Sequence, residues 1–185
     1  MELYSDIYYV ERVLAGETGC FACLIDRYSD PVYNLIVQVV RNREDAQELT
    51  QDVFMKVFRK LSTFKSESRF STWLYRIAYN TAISETRRRK MEYLAFDELQ
   101  LTNAPDPEMS DWLSEVDNHE RLDRLDRAME QLPADERILI LLFYMEGHSV
   151  EQLTEITALT TSNVKTKLHR IRKKLYLLMT KMEER

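Results

Sequence analysis

The chain has 185 residues, a length that suits one medium domain or two small ones. It is 44% apolar and 31% charged with only three glycines and four prolines, which favours helices because glycine and proline punctuate strands and turns. No apolar run approaches the roughly 18 residues needed to cross a bilayer, and residues 1–6 lack a signal peptide's basic and apolar stretches, so direct membrane insertion is excluded and a cytoplasmic protein is expected.

A first helix is predicted over Asp6–Leu14, stopping at Gly16. A second, residues 18–40, carries Phe21, Leu24, Ile25, Tyr28, Val32, Leu35, Ile36 and Val39 at the i, i+3, i+4 spacing of a buried stripe. Asn42 is expected to end it, while Pro31, like Pro105 and Pro107, is placed at a break or start. Cys20 and Cys23 share one helical face and are read as buried thiols, since one C-x-x-C pair alone is a weak metal or redox signal. A third helix, residues 43–61, buries Ala46, Leu49, Val53, Phe54, Val57 and Phe58. Residues 62–71 are polar and aperiodic, a loop, and a fourth helix follows over residues 71–91.

The net charge of −5 is unevenly placed. Residues 92–120 hold nine acids and no Lys or Arg, whereas the segments on either side are each mildly basic. Such a block beside Pro105 and Pro107 reads as an extended acidic tether. Beyond it, helices are predicted over residues 111–131, 133–146 and 150–156, with Ser149 and Gln152 forming a capping box. A turn through Thr157, Ala158 and Leu159 leads to Thr160, which caps a last helix whose stripe is Val164, Leu168, Ile171 and Leu175. Two helices joined by so short a turn make a helix-turn-helix. The fold class is therefore all-α, in two helical domains: a four-helix domain (1–95), an acidic flexible linker (96–118) and a helix-turn-helix domain (119–185).

The last helix has no acid between Thr157 and Met182 but carries Lys165, Lys167, Arg170, Arg172, Lys173, Lys174 and Lys181. A solvated helix mixes signs to gain i, i+4 pairs, whereas a one-sign face suits phosphate. Early positions of a recognition helix face base edges and later ones grip the backbone. Thr161, Ser162, Asn163, Lys165, Thr166 and His169 are thus candidate base contacts, with Lys167 on the same basic helix, and Arg170, Arg172 and Lys173 candidate phosphate contacts.

Three motifs, in order over nearly the whole chain, resemble bacterial extracytoplasmic-function (ECF) sigma factors. The run from Asp45 to Phe54 resembles the family's core-polymerase-binding helix, and the run from Phe70 to Ala82 its promoter-melting and minus-ten segment. Leu132–Pro133, Gly147 to Ser149 and Val164 to Leu175 resemble the domain that reads the minus-thirty-five element. The resemblance implies a non-enzymatic initiation factor, without cofactor or metal, that binds core RNA polymerase and directs promoter recognition and melting. It implies polymerase contacts at Asp45, Glu48, Leu49, Gln51, Asp52 and Phe54, and minus-ten contacts at Phe64, Lys65, Ser66, Arg69, Arg76, Asn80, Arg87 and Arg88. Melting takes a base out of its stack and needs aromatic and cationic surfaces to receive it. The family's linker threads polymerase channels, so the acidic strip reads either as a nucleic-acid mimic or as a solubilising spacer. Family habit also implies an anti-sigma partner, including a membrane-tethered one. The chain departs from the family's usual alanine and glycine at Thr154 and Ala158 and from a common serine at Thr166; Ala158 takes a left-handed turn conformation less easily than glycine, so a slightly different turn is expected there.

A plain helix-turn-helix regulator would leave the two N-terminal motifs unexplained. An enzyme is disfavoured because no phosphate loop, metal cluster or nucleophile elbow is present, and His119, His148 and His169 are scattered.

Overall fold

Ser5 starts the first helix, its hydroxyl accepting the Tyr8 N–H at 3.3 Å, so that α1 runs Asp6–Leu14 as predicted. The computed structural model describes residues 4–89, 101, 103–105 and 119–183. A single 3₁₀ turn at Thr18–Cys20 precedes α2 (Phe21–Val40), which therefore begins three residues later than the periodicity suggests. Cys20 and Cys23 are free thiols but only half-buried, not buried. Pro31 lies inside α2 rather than at a break. Leu24, Val32, Leu35, Ile36 and Val39 are buried on both sides of it, and that continuous apolar face outweighs one missing backbone hydrogen bond.

Arg41, in the left-handed conformation at φ 58°, ends α2, and its N–H bonds the carbonyl of Val37. Asn42, the expected terminator, instead caps the next helix, its Oδ1 accepting the Asp45 N–H at 3.0 Å. That helix, α3 (Arg43–Lys60), runs into a 3₁₀ turn at Leu61–Thr63, and α4 spans Phe70–Arg89. The predicted loop is thus shortened at both ends. Phe64, Phe70 and Trp73 close its base as an aromatic cluster with ring centroids 5.4–5.9 Å apart.

In the second half, α5 covers His119–Glu130; the predicted start near residue 111 lies outside the described residues. Pro133 caps α6 (Ala134–Tyr144), and the Ser149/Gln152 capping box opens α7 (Val150–Thr157). Thr160 Oγ1 accepts the Asn163 N–H at 3.2 Å ahead of α8 (Thr161–Glu183). No strand occurs among the described residues, and none of their helices is long and apolar enough to cross a membrane.

The turn between α7 and α8 passes through Ala158. Ala158 adopts the left-handed conformation itself, at φ 60° and ψ 21°, its N–H bonding Thr154 O at 2.9 Å. An L-residue holds that conformation at a cost of about 1–2 kcal/mol, so Ala158→Gly is expected to stabilise the chain by about 1 kcal/mol. A melting temperature raised by roughly 2–4 °C in calorimetry is the check.

The two halves do not hang apart. One continuous apolar cluster joins Leu24, Val32 and Leu74 to Ile138, Leu142, Leu153 and Val164. α4 packs on α7, and α2 on α6. Leu101 and Ala104, inside the predicted linker, are buried, so at least these positions depart from an extended, solvated tether; most of residues 96–118 lie outside the described residues.

Candidate nucleic-acid and protein interfaces

On α3, Glu48, Gln51 and Asp52 are exposed and Asp45 is half-buried in the first turn, where an acid also favours the helix dipole. Leu49 is half-buried and Phe54 buried, so Phe54 belongs to the wall of a groove rather than to an exposed rim. That apolar groove, about 550 Å³, lies between α2 and α3 and is lined by Phe21, Ile25, Gln51, Phe54, Met55 and Phe58. Phe58, expected in the core, is 43% exposed and Met55, not singled out from sequence, 50%. A signal was present: Val53, Phe54, Met55, Val57 and Phe58 cover more of the helix circumference than one buried stripe holds, so part of that apolar surface had to emerge. The result is an acidic face abutting an apolar groove.

In the next segment Lys65, Ser66 and Arg69 are exposed, with Ser66 left-handed at φ 57°. Phe64 is corrected: only 8% exposed and packed against Phe70 and Trp73, it is core rather than a surface for a base. Arg76, Asn80, Arg87 and Arg88 are exposed on α4, and Asn80 Nδ2 donates to Arg76 O at 2.9 Å. Spacings of four and seven put Arg76, Asn80 and Arg87 on one helical face. Lys56 and Lys60 of α3 share a cleft with Arg76 and Asn80, adding two cations that sequence reading did not assign. Arg88 carries an exposed ion pair with Glu85 at 2.9 Å. Lys90 and the side chain of Arg89 lie outside the described residues.

Along α8 the stripe Val164, Leu168, Ile171 and Leu175 is buried as predicted. Thr161, Ser162, Asn163, Lys165, Thr166 and Arg170 are exposed, and His169, Arg172 and Lys173 half-buried. Lys167 and Lys174 depart from the basic face. Their Nζ atoms reach Asp135 at 2.7 Å and Glu136 at 2.6 Å, since residues seven apart lie two turns along one side, facing the acidic first turn of α6. The one-sign face is therefore narrower than the sequence suggests, and Lys167 is withdrawn from the predicted DNA contacts.

A further polar cluster joins the two halves. The Tyr75 hydroxyl donates to Glu146 at 2.5 Å, the His148 ring meets Tyr75 edge-on at 4.8 Å, and Gln152 Nε2 donates to Thr72 Oγ1 at 3.4 Å. His148 is 6% exposed and its Nε2 has no hydrogen-bond partner among the described residues. Burial, reinforced by Arg69 and opposed by Glu146, holds its pKa below the usual 6.5. Below pH 6.5 the unfolded chain thus binds more protons at this site, so the His148 contribution is present above pH 6.5 and lost as pH falls beneath it. Thermal melts from pH 8 to pH 5 are expected to fall more steeply for the native chain than for His148→Gln.

Residues 24–92 match the model of sigma-70 region 2, and residues 122–175 that of sigma-70 region 4. The ECF RNA polymerase sigma factor SigW of Bacillus subtilis is 30% identical over 172 residues, covering 90% of this chain and 92% of that protein. The ECF RNA polymerase sigma-E factor of Escherichia coli is 31% identical over 182 residues, 92% of each chain. Among solved structures, CnrH in complex with the cytosolic domain of CnrY superposes with a TM-score of 0.68 at 19% identity, covering 96% of this chain and 99% of that one. The sigma factor RpoE, in complex with the anti-sigma factor NepR from Bartonella quintana, gives 0.64 at 22%, covering 86% and 96%. With both sigma-70 regions present in order and relatives matched almost end to end, the chain belongs to the ECF RNA polymerase sigma factors.

Proposed function

We propose that this ECF sigma factor divides promoter initiation among three surfaces of its own. The α3 face of Asp45, Glu48, Gln51 and Asp52, with Leu49 and Phe54 beside it, docks core polymerase, and the adjoining groove of Met55 and Phe58 extends that contact. Lys65, Ser66 and Arg69 with Arg76, Asn80, Arg87 and Arg88 engage the minus-ten element during melting. Thr161, Ser162, Asn163, Lys165, Thr166 and His169 read the minus-thirty-five element, while Arg170, Arg172 and Lys173 hold its phosphates. Domains at residues 1–95 and 119–185 carry the two DNA-binding tasks, in the cytoplasm, where polymerase works. The observation that carries this reading is the exposed acidic face of α3 bordered by an open apolar groove, which a DNA-only regulator has no use for. An anti-sigma protein is the proposed regulator, because RpoE is seen with the anti-sigma factor NepR and CnrH with the cytosolic domain of CnrY.

The test is transcription by bacterial core polymerase with and without the chain, its start sites mapped. A promoter-specific transcript that depends on the chain is expected. No dependence, together with no association with core, would sink the assignment. On a cognate promoter, Lys165→Ala is expected to cost about 1–3 kcal/mol at one base position, whereas Arg170→Ala weakens all sequences alike and flattens the salt slope by about one. Equal loss at every position for Lys165→Ala would remove it from base reading.

A further inference from the structure

We propose that Cys20 and Cys23 form a thiol–disulfide switch on polymerase docking, in which closing the bond moves Phe21 and disturbs the groove between α2 and α3. This rests on the assignment of that groove to core polymerase above and adds a means of controlling it.

The two thiols are the chain's only cysteines, and both are free and half-buried. Small molecules can therefore reach them, as they cannot reach the inert thiol of a closed core. Cys20 is the N-cap of α2 with helical angles, φ −65° and ψ −17°, and Cys23 lies in the first turn. Helix geometry sets their Cα atoms about 5 Å apart, inside the range of about 4.4–6.8 Å that a disulfide spans. Each sulfur has a polar neighbour. Cys20 Sγ donates to Glu17 Oε2 at 3.9 Å, and the Tyr9 hydroxyl hydrogen-bonds with Cys23. Structural zinc takes four ligands, and no group of three or more His, Cys, Asp or Glu able to hold a metal occurs among the described residues. The pair is thus a redox couple rather than half a metal site.

The exchange balances with a low-molecular-weight disulfide as oxidant. Cys23, as thiolate, attacks one of its sulfurs, forming a mixed disulfide and expelling one thiolate. Cys20 then displaces the second, its proton leaving past the Glu17 carboxylate to water. Two protein thiols lose two electrons and two protons, and one small disulfide becomes two thiols. In a reducing compartment such a bond is transient, which suits a signal rather than a staple.

Phe21 stands between the two cysteines as the first residue of α2. Its ring meets Phe58 of α3 edge-on at 5.0 Å, and both line the groove with Ile25, Phe54 and Met55. Residues three apart on a helix hold their Cβ atoms about 5–6 Å apart, but a disulfide needs about 3.8 Å. Closing the bond therefore tightens the turn by more than about 1 Å, and Phe21 moves with it. The turn has room for this, because a Cβ added at Gly19 would meet no atom within 4 Å. A wall displaced that far loses its packing against whatever fills the groove, since dispersion contacts fade over about 0.5–1 Å.

The test oxidises the full chain with oxidised glutathione, removes the oxidant, and measures intact mass before core polymerase is added. A loss of two hydrogens is expected, reversed by dithiothreitol. The oxidised chain is expected to bind core polymerase about tenfold more weakly than the reduced chain, and reduction is expected to restore the affinity. The double variant Cys20→Ser with Cys23→Ser should bind like the reduced chain before and after the same treatment. Amide hydrogen exchange across residues 21–25 should differ between the oxidised and reduced chains. A chain that gains only glutathione, a closed form that binds as tightly as the open one, or unchanged exchange overturns the switch. If neither the reduced chain nor the double variant binds core polymerase, the functional assignment falls and takes the docking role with it. Mass and exchange, read without polymerase, still show whether the bond forms and moves Phe21.

Discussion

Replacing Arg137 with leucine is expected to destabilise the chain by about 3–5 kcal/mol, the usual cost of removing one partner from a buried charged network. Arg137 is 1% exposed, and backbone carbonyls crowd its site. Its guanidinium donates to backbone carbonyls: Met129 at 2.6 Å, Glu130 at 2.7 Å, Leu132 at 2.8 Å and Gln38 at 2.5 Å. Met129 and Glu130 end α5, and Gln38 lies in the last turn of α2. Helix C-termini leave carbonyls unpaired and carry partial negative charge, so one planar cation satisfies two of them together. Leucine fills part of the volume but leaves these carbonyls buried without donors, at about 1–3 kcal/mol for each one that cannot reach water. Arg137→Lys is expected to recover only part of the loss, since an ammonium has three donors and lacks the fork. For a chain of this size the leucine variant should melt roughly 6–20 °C lower. A shift under 2 °C would show that the carbonyls find other donors.

Reversing Glu48 and Asp52 together to lysine should abolish transcription with little change in stability. Both side chains are exposed and carry no hydrogen bond or ion pair among the described residues. Exposed substitutions of this kind usually stay within about 0.5 kcal/mol. A surface that complements this acidic face is basic, and like charges set against it cost several kcal/mol, so affinity for core polymerase is expected to fall about a hundredfold or more. Titration of labelled chain with core polymerase, beside a thermal melt, reads both quantities. Unchanged affinity would move the polymerase contact off this face of α3. Met55→Ser is the companion variant, since it alters the neighbouring groove and not the charge.

Much of this was legible in the residues. Ser149 with Gln152 and Thr160 with Asn163 form the caps their spacing predicts, because a cap is a contact within one turn. The α8 stripe followed from a period of 3.6, which depends only on residues a turn or two apart. Misreadings arose where local chemistry allowed two outcomes, or where neighbours in space were distant in sequence. Asn42 had the chemistry for ending one helix or starting the next, and the backbone of Arg41 took the first task. Lys167 looked like a DNA contact until α6 brought Asp135 beside it, 32 positions away in sequence. Phe64 had a loop's surroundings in sequence but an aromatic cluster's in space.

Taken alone, the sequence determined most of the helix spans, several of their caps and the family, because periodicity, capping and motif order are local properties of the chain. Tertiary structure decided which cations of α8 pair with α6, which apolar groups emerge beside the acidic helix, and that the two halves close on each other through Tyr75, Glu146 and Arg137. Those outcomes depend on the docking of whole surfaces, where burial, dipoles and paired charges are summed over residues up to 99 positions apart.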